Sequence, residues 1–386
     1  ITADDKYLYV GSEKLMVIQY DPDIVIKLYK KTDGKELEKD GEGKYKIIIT
    51  NDNNGNPQMP EFIAEATSGD VTIDENTNIC WKIKVEYNVE LPKEYTNRSR
   101  KGLQCNAEGI CGKDGFIVPG STEKDCKTKT GPKIEISNNT ATDLNWGNNI
   151  GGGTITIIAE VNNNGSKISG KYAGKIEGER TTPEFRTKMI DYLKLKGKDV
   201  ETDLGSADVL FALACVETYG VNHFYPPAVT NDGIPDGSQF GIPKGSNYPI
   251  ENTTGDGGFG VMQLTNPKPE YLEIWHWKKN IDASPKLIRE KIAMAKRQAP
   301  NVRKAKNKTD KEIPDLTPEQ LRMNVYSLFR GGYYWKAEYN KDTKEYKWVP
   351  YYNKDSDKKK EREDYRKSGV SEADKAVKNE GKTACQ

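Results

Sequence analysis

The chain has 386 residues, 35% of them hydrophobic and 30% charged, with 59 Lys and Arg against 58 Asp and Glu for a formal net charge of +1. That balance excludes an overall cationic nucleic-acid binder of the simple electrostatic kind, and no run approaches the roughly 20 apolar residues of a membrane-spanning helix. With 21 Tyr, 6 Trp and 8 Phe to bury, disorder throughout is excluded as well. The length suits two or three domains. The chain begins at Ile1 and not at Met, so it reads as a processed or truncated product in which targeting information is missing.

Residues 1–180 read as β structure. The runs LYVG, KLMVIQY, IVIKLY, YKIIIT, ICWKIKVEYNV and GTITIIAEVNN are short and rich in Val, Ile and Tyr. In the fifth, Trp81, Ile83, Val85 and Tyr87 share one face, and Lys82, Lys84 and Glu86 take the other. Such a strand is half-buried, with water on one side of its sheet. Turn clusters such as Asn51-Asp52-Asn53-Asn54-Gly55-Asn56-Pro57 separate the runs. The spacing suggests an immunoglobulin-like β-sandwich over 1–180. Of the six cysteines, Cys80, Cys105, Cys111 and Cys126 cluster in a loop-rich stretch. The expectation there is two disulfides of a secreted domain, with free thiols as the alternative, and 95–130 reads as a long insertion that is stapled if its cysteines pair.

The pattern changes near 180. Thr182 reads as a helix N-cap, Pro183 as the first helical residue and Glu184 as a first-turn acid. Helical stripes follow: Phe185, Met189, Tyr192 and Leu193; Val209, Leu210, Leu213 and Val216; Ile288, Ile292 and Ala295; Leu321, Val325, Leu328 and Phe329. Residues 181–386 therefore read as a helical, mildly basic domain. Cys215 lies inside an apolar run and reads as a buried free thiol. No Cys-x-x-Cys pair occurs, and His223 and His276 are the only histidines. The usual zinc spacings are absent, and no metal or cofactor is expected. Neither histidine has a Ser or Cys partner at a spacing that suggests a triad, and both read as structural.

One helix ends Leu210-Phe211-Ala212-Leu213-Ala214-Cys215-Val216-Glu217. Glu217 shares a stripe with Leu213 and Leu210 at the helix end. Apolar neighbours disfavour the charged form of a carboxyl, and a general acid must hold its proton at working pH. Some forty residues later comes Thr254-Gly255-Asp256-Gly257-Gly258-Phe259-Gly260-Val261-Met262-Gln263-Leu264. Its glycines let backbone pass close to a ligand or a helix, and Gln263 interrupts an otherwise apolar run.

Glu217-Thr218 and the Gly-Gly-Phe-Gly-Val-Met-Gln-Leu run resemble two signatures of the lytic transglycosylases, the soluble-lytic-transglycosylase and goose-type lysozyme group. That family shows a helix ending Glu-Ser, then a Ser-x-x-Gly-Ala-x-Gly-Leu-Met-Gln-Leu pattern. Asn280-Ile281, after Trp275-His276-Trp277, matches its next feature. Asn324 to Trp335 takes the place of its Tyr-Asn-x-Gly turn, but Phe329 and Arg330 replace the Tyr and Asn, so Tyr326 is the alternative hydroxyl.

The resemblance covers roughly 183–350 and implies a lysozyme-like fold for 181–386. It also implies cleavage of the MurNAc–GlcNAc bond of peptidoglycan, with Glu217 as the single acid and base and a 1,6-anhydro product. In this reading Gln263, Gly260 and Met262 hold the acetamido group. Thr218, Thr254, Asn280, Tyr326 and Tyr334 are further substrate contacts, and Trp275, Trp277 and Trp335 are candidates for sugar stacking. The loop aspartates Asp232 and Asp256 could position water, which would make the enzyme a hydrolytic lysozyme. A non-catalytic glycan-binding protein is the reading from another class, and a delivered antibacterial toxin is a variant of the first. The implied partners are glycan strands, a secretion or phage-like carrier and an immunity protein, with no nucleic acid and no membrane span. The implied location is periplasmic or extracellular.

Overall fold

The computed structural model describes residues 2–3, 7–10, 16–19, 24–69, 72–90, 104–105, 110–122, 124–163, 165–218, 220–224, 247–251, 257–329, 332–352, 360, 364–365 and 368–385. At 2–3, 7–10, 16–19, 88–90, 104–105 and 110–114 it describes the backbone alone. The chain divides into two compact units, Ile1–Glu179 with Ser246–Tyr248, and Arg180–Gly245 with Pro249–Gln386.

In the first unit the strands are β1 (Thr2–Ala3), β2 (Tyr7–Val10), β3 (Met16–Gln19), β4 (Ile24–Lys30), β5 (Lys46–Asn51), β6 (Pro57–Gln58), β7 (Phe62–Ser68) and β8 (Asn78–Glu90). They continue with β9 (Gln104–Cys105), β10 (Ile110–Ile117), β11 (Lys127–Thr130), β12 (Lys133–Ser137), β13 (Leu144–Asn145), β14 (Gly153–Asn163) and β15 (Ser166–Gly178). The period-two runs are strands, and Trp81, Ile83, Val85 and Tyr87 are at most 1% exposed. The largest sheet runs β6-β5-β15-β14-β8-β10-β9, with β11 also on β8; β13-β12-β7-β4 forms a second sheet and β1-β2-β3 a third. Where β15 crosses Ile24, a Cβ on Gly170 would lie 2.0 Å from the Ile24 carbonyl oxygen, so only glycine fits.

The second unit contains α1 (Pro183–Leu204), α2 (Val209–Glu217), α3 (Tyr271–Trp275), α4 (Trp277–Lys296), α5 (Gln298–Lys306) and α6 (Pro318–Leu328). The hairpin β16 (Trp335–Asn340) and β17 (Glu345–Pro350) follows, then α7 (Gly369–Asn379). The Thr182 side chain accepts from the Phe185 amide, and Gly205 ends α1 in the left-handed conformation. Helix α1 packs on α2 and α4, and α6 and α2 both pack on α7. Among the described residues no helix is long and apolar enough to cross a membrane.

These elements overturn the expected immunoglobulin-like sandwich followed by an α-helical lysozyme-like domain. The architecture is mixed, about 31% helix and 31% strand, and includes a curled half-barrel. Its cause is visible in strand length and direction. β8 and β15 have 13 residues each and β14 has 11, so their twist accumulates over a longer sheet than a sandwich of short strands allows. β5 joins β15 in parallel, as β13 joins β12. The second unit is not all helical either, because Trp335–Pro350 folds as a hairpin whose two indole N–H groups donate to the Gln320 and Pro314 carbonyls.

Of the cysteine expectations, the one for the Cys80–Cys126 cluster holds in part and the one for Cys215 changes. Cys80 pairs with Cys126, and the 95–130 stretch supplies β10 and β11 to the main sheet. Cys215 is not a free thiol: it is bonded to Cys385, 170 residues away. Closing a loop that long removes on the order of 5 kcal/mol of chain entropy from the unfolded state.

Candidate functional site

Helix α2 is a nine-residue run in which Val209 to Cys215 are all buried. Glu217, its last residue, is half-buried. Thr218 caps the helix: its amide donates to the Ala214 carbonyl at 3.0 Å, and its hydroxyl lies 2.8 Å from that same oxygen and 3.4 Å from the Val261 carbonyl. Thr218 is completely buried, so its side chain joins the helix end to the glycine turn and does not face a cleft.

The turn itself is a tight backbone loop. Phe259 and Leu264 exchange hydrogen bonds of 3.1 and 3.0 Å, the Gln263 amide donates to Gly260, and the Gly260 amide donates to Ile250. Gly260 has φ +71°, and a Cβ there would lie 2.4 Å from the Asn280 Nδ2. Gln263 has φ +47°, a conformation that L-residues adopt at a cost. Its carboxamide nitrogen donates to the Gly260 and Ile250 carbonyls at 2.9 and 3.3 Å. Asn280, buried on α4, accepts from the Met262 amide at 2.9 Å and donates to the Phe259 and Glu273 carbonyls at 3.0 Å. It is the group that fixes the turn. Val261 and Met262 point into the core, both 0% exposed.

Behind the turn, the His223 carbonyl accepts from the Ile250 amide at 2.7 Å. Burial holds the His223 imidazole down to about 3 and the half-exposed His276 down to about 4. Both rings are therefore neutral at physiological pH. Trp275 and Trp277 are fully buried and belong to the core.

The structure thus brings together Thr218, Gly260, Met262, Gln263 and Asn280, with Glu217 one residue before Thr218 at the end of α2. Tyr326 and Tyr334 are committed elsewhere. The Tyr326 hydroxyl donates to Glu380 at 2.6 Å, and Arg322 holds the same carboxylate oxygen at 2.8 Å. The Tyr334 hydroxyl donates to Asp374 at 2.8 Å. Burial and then the neighbouring carboxylate push both phenols above their ordinary range. Thr254, Asp232 and Asp256 lie outside the described residues. Sequence reasoning passed over Glu251, a completely buried carboxyl whose backbone bridges Phe259. It also passed over Asn324, whose side-chain oxygen accepts from the Tyr334 amide at 2.8 Å. Neither sits in a periodic pattern that would single it out.

The arrangement offers a half-buried glutamate at the end of a helix whose next residue meets a strained turn that holds a carboxamide in a fixed pose. Geometry of this kind suits proton transfer to a bound polar substrate. No protein-family model matches the chain, and no curated protein matches it.

Proposed function

We propose that the chain cleaves the β-1,4 bond between N-acetylmuramic acid and N-acetylglucosamine in peptidoglycan, as a lytic transglycosylase. The observation that supports this reading is the junction of α2 with the glycine turn, where the Thr218 hydroxyl, one residue past Glu217, meets the Val261 carbonyl, two residues before Gln263. Glu217 protonates the oxygen leaving the muramic acid ring. The substrate's own acetamido oxygen supports the positive charge that develops at the sugar carbon. The ionised Glu217 then takes the proton from the 6-hydroxyl of that sugar, and the oxygen closes a 1,6-anhydro ring. One carboxyl serves twice, whereas most glycosidases use two.

The second contribution comes from Gln263. Its nitrogen is spent on two backbone carbonyls, and among the described residues no hydrogen bond reaches its side-chain oxygen. That oxygen suits the acetamido N–H of the sugar. Backbone strain at Gln263 is the kind of cost that persists where a side chain must be aimed.

The test is mass spectrometry of the fragments released when purified protein is incubated with peptidoglycan sacculi. Anhydro ends support the proposal. Reducing ends replace it with hydrolysis, and the absence of any soluble fragment overturns it in favour of glycan binding without catalysis.

A further inference from the structure

Helix α2 has an unusual support. It spans nine residues, and neither a side-chain cap at Asp208 nor an acid in the first turn nor a base in the last assists it. A helix of that length depends on what it packs against. The C-terminal tail lies along it. The Gly381 amide donates to the Asp208 carboxylate at 2.7 Å, and Lys194 bonds the Lys382 carbonyl at 2.6 Å. The segment reaches Cys385, which is bonded to Cys215. Its upper end is anchored at Glu380 by Tyr326 and Arg322, and Arg322 also bonds the last carbonyl of α1, that of Leu204, at 2.7 Å. The segment therefore touches both ends of α2. Cys215 and Glu217 are two residues apart, about 200° around the helix axis. The disulfide thus grips the face away from Glu217, while Thr218 meets the Val261 carbonyl at the helix end.

We propose that Glu380–Cys385 is a strap that positions α2, and through it Glu217, and that reduction of Cys215–Cys385 silences the enzyme. This rests on the reading of Glu217 as the acid. Residues Gly381 to Ala384 are exposed, Cys385 is half-buried and Cys215 is 7% exposed, so a reductant reaches the bond from the Cys385 side. A thiolate of a dithiol attacks the Cys385 sulfur, and Cys215 leaves as thiolate. The second thiol of the reductant then closes its own disulfide and releases Cys385. Two electrons pass from the dithiol to the protein, and the two cysteines end as thiols. The strap would hold the proposed activity in check in a reducing compartment and release it in an oxidising one.

The experiment uses the full chain, oxidised and then treated with dithiothreitol, with soluble peptidoglycan fragments as substrate. Reduction is expected to lower kcat at least tenfold, leave KM within twofold and leave the far-UV circular dichroism unchanged, with recovery on reoxidation. C385S should behave as the reduced protein, and C80S/C126S should stay sensitive to reductant. Amide hydrogen exchange within α2 should speed up at least tenfold on reduction, a readout that needs no activity. Unchanged exchange, an unchanged kcat in C385S, or a loss of activity that only tracks lost helical signal would overturn the strap. Should C385S fail to fold, C215V/C385A, which fills the buried site with an apolar group, is judged by the same kcat and exchange. An oxidised wild-type chain that cleaves nothing removes the glycan-cleavage reading instead, and the exchange result still decides the strap.

Discussion

Around Gln263 and around Glu380 the second unit holds polar groups in two different ways. At Glu380, Tyr326 and Arg322 make charge-assisted side-chain bonds to one carboxylate oxygen, and Arg322 also bonds the Leu204 carbonyl. At Gln263, the bonds run from one buried asparagine to backbone, two residues besides Gly257 sit at positive φ, and a glycine takes the place any side chain would occupy. The first arrangement is stable and finished. The second keeps a side chain aimed at the cost of strain, which is where a functional group is expected.

That contrast can be broken at Gly260. Gly260→Ala forces a Cβ against Asn280 and an L-residue into the left-handed region. The expected loss is about 2–4 kcal/mol of stability, together with about a hundredfold in fragment release because the turn shifts relative to Glu217. A melting temperature and a release rate both near wild type would remove the turn from the account.

Acid should act on the Gln263 side through His223. Its folded value is depressed to about 3 from an ordinary 6.5, so between those limits the unfolded chain binds the extra proton. Its contribution is full above pH 6.5 and is lost as pH falls, by up to about 1.4 kcal/mol per pH unit, with His276 adding in the same direction. Urea midpoints measured at pH 7.5, 6 and 5 should fall in that order; equal midpoints would mean that His223 is not buried as a neutral ring.

On the Glu380 side, Tyr326→Phe removes one bond but leaves Arg322 on the carboxylate. Thermal denaturation should register a loss of about 1–2 kcal/mol, with fragment release retained. A collapse of activity without a matching loss of stability would place the Tyr326 hydroxyl on the substrate after all. The smallest effect separates two variants of one residue. Gln263→Gly and Gln263→Ala lose the same carboxamide, but glycine accepts φ +47° freely, so it should be the more stable of the two by about 1 kcal/mol. Equal stabilities would mean that the backbone at 263 carries no strain.

Much of this was legible in the sequence because it is local. The Trp81-Ile83-Val85-Tyr87 alternation, the Thr182-Pro183 helix start and the apolar stripe under Glu217 each depend on residues within a few positions of one another. What was hidden is set by distant partners. The curl of the main sheet follows from which long strands pair, and the parallel seam of β5 on β15 leaves no mark in either strand alone. Cys215 looks like a core thiol until the partner 170 residues on is known. Tyr326 looks available to a ligand until Glu380 occupies its hydroxyl. Asn280 was singled out as a substrate contact, yet its three bonds go to the turn and to Glu273, so its residue type was informative and its role was not.

The most direct test of the proton donor is Glu217→Gln, which keeps the shape of the side chain and removes its acidity. Sacculi incubated with the variant should release no soluble fragments above background, while its melting temperature and circular dichroism match wild type. Fragments released at the wild-type rate by the folded Gln variant would contradict the assignment of Glu217 as the acid.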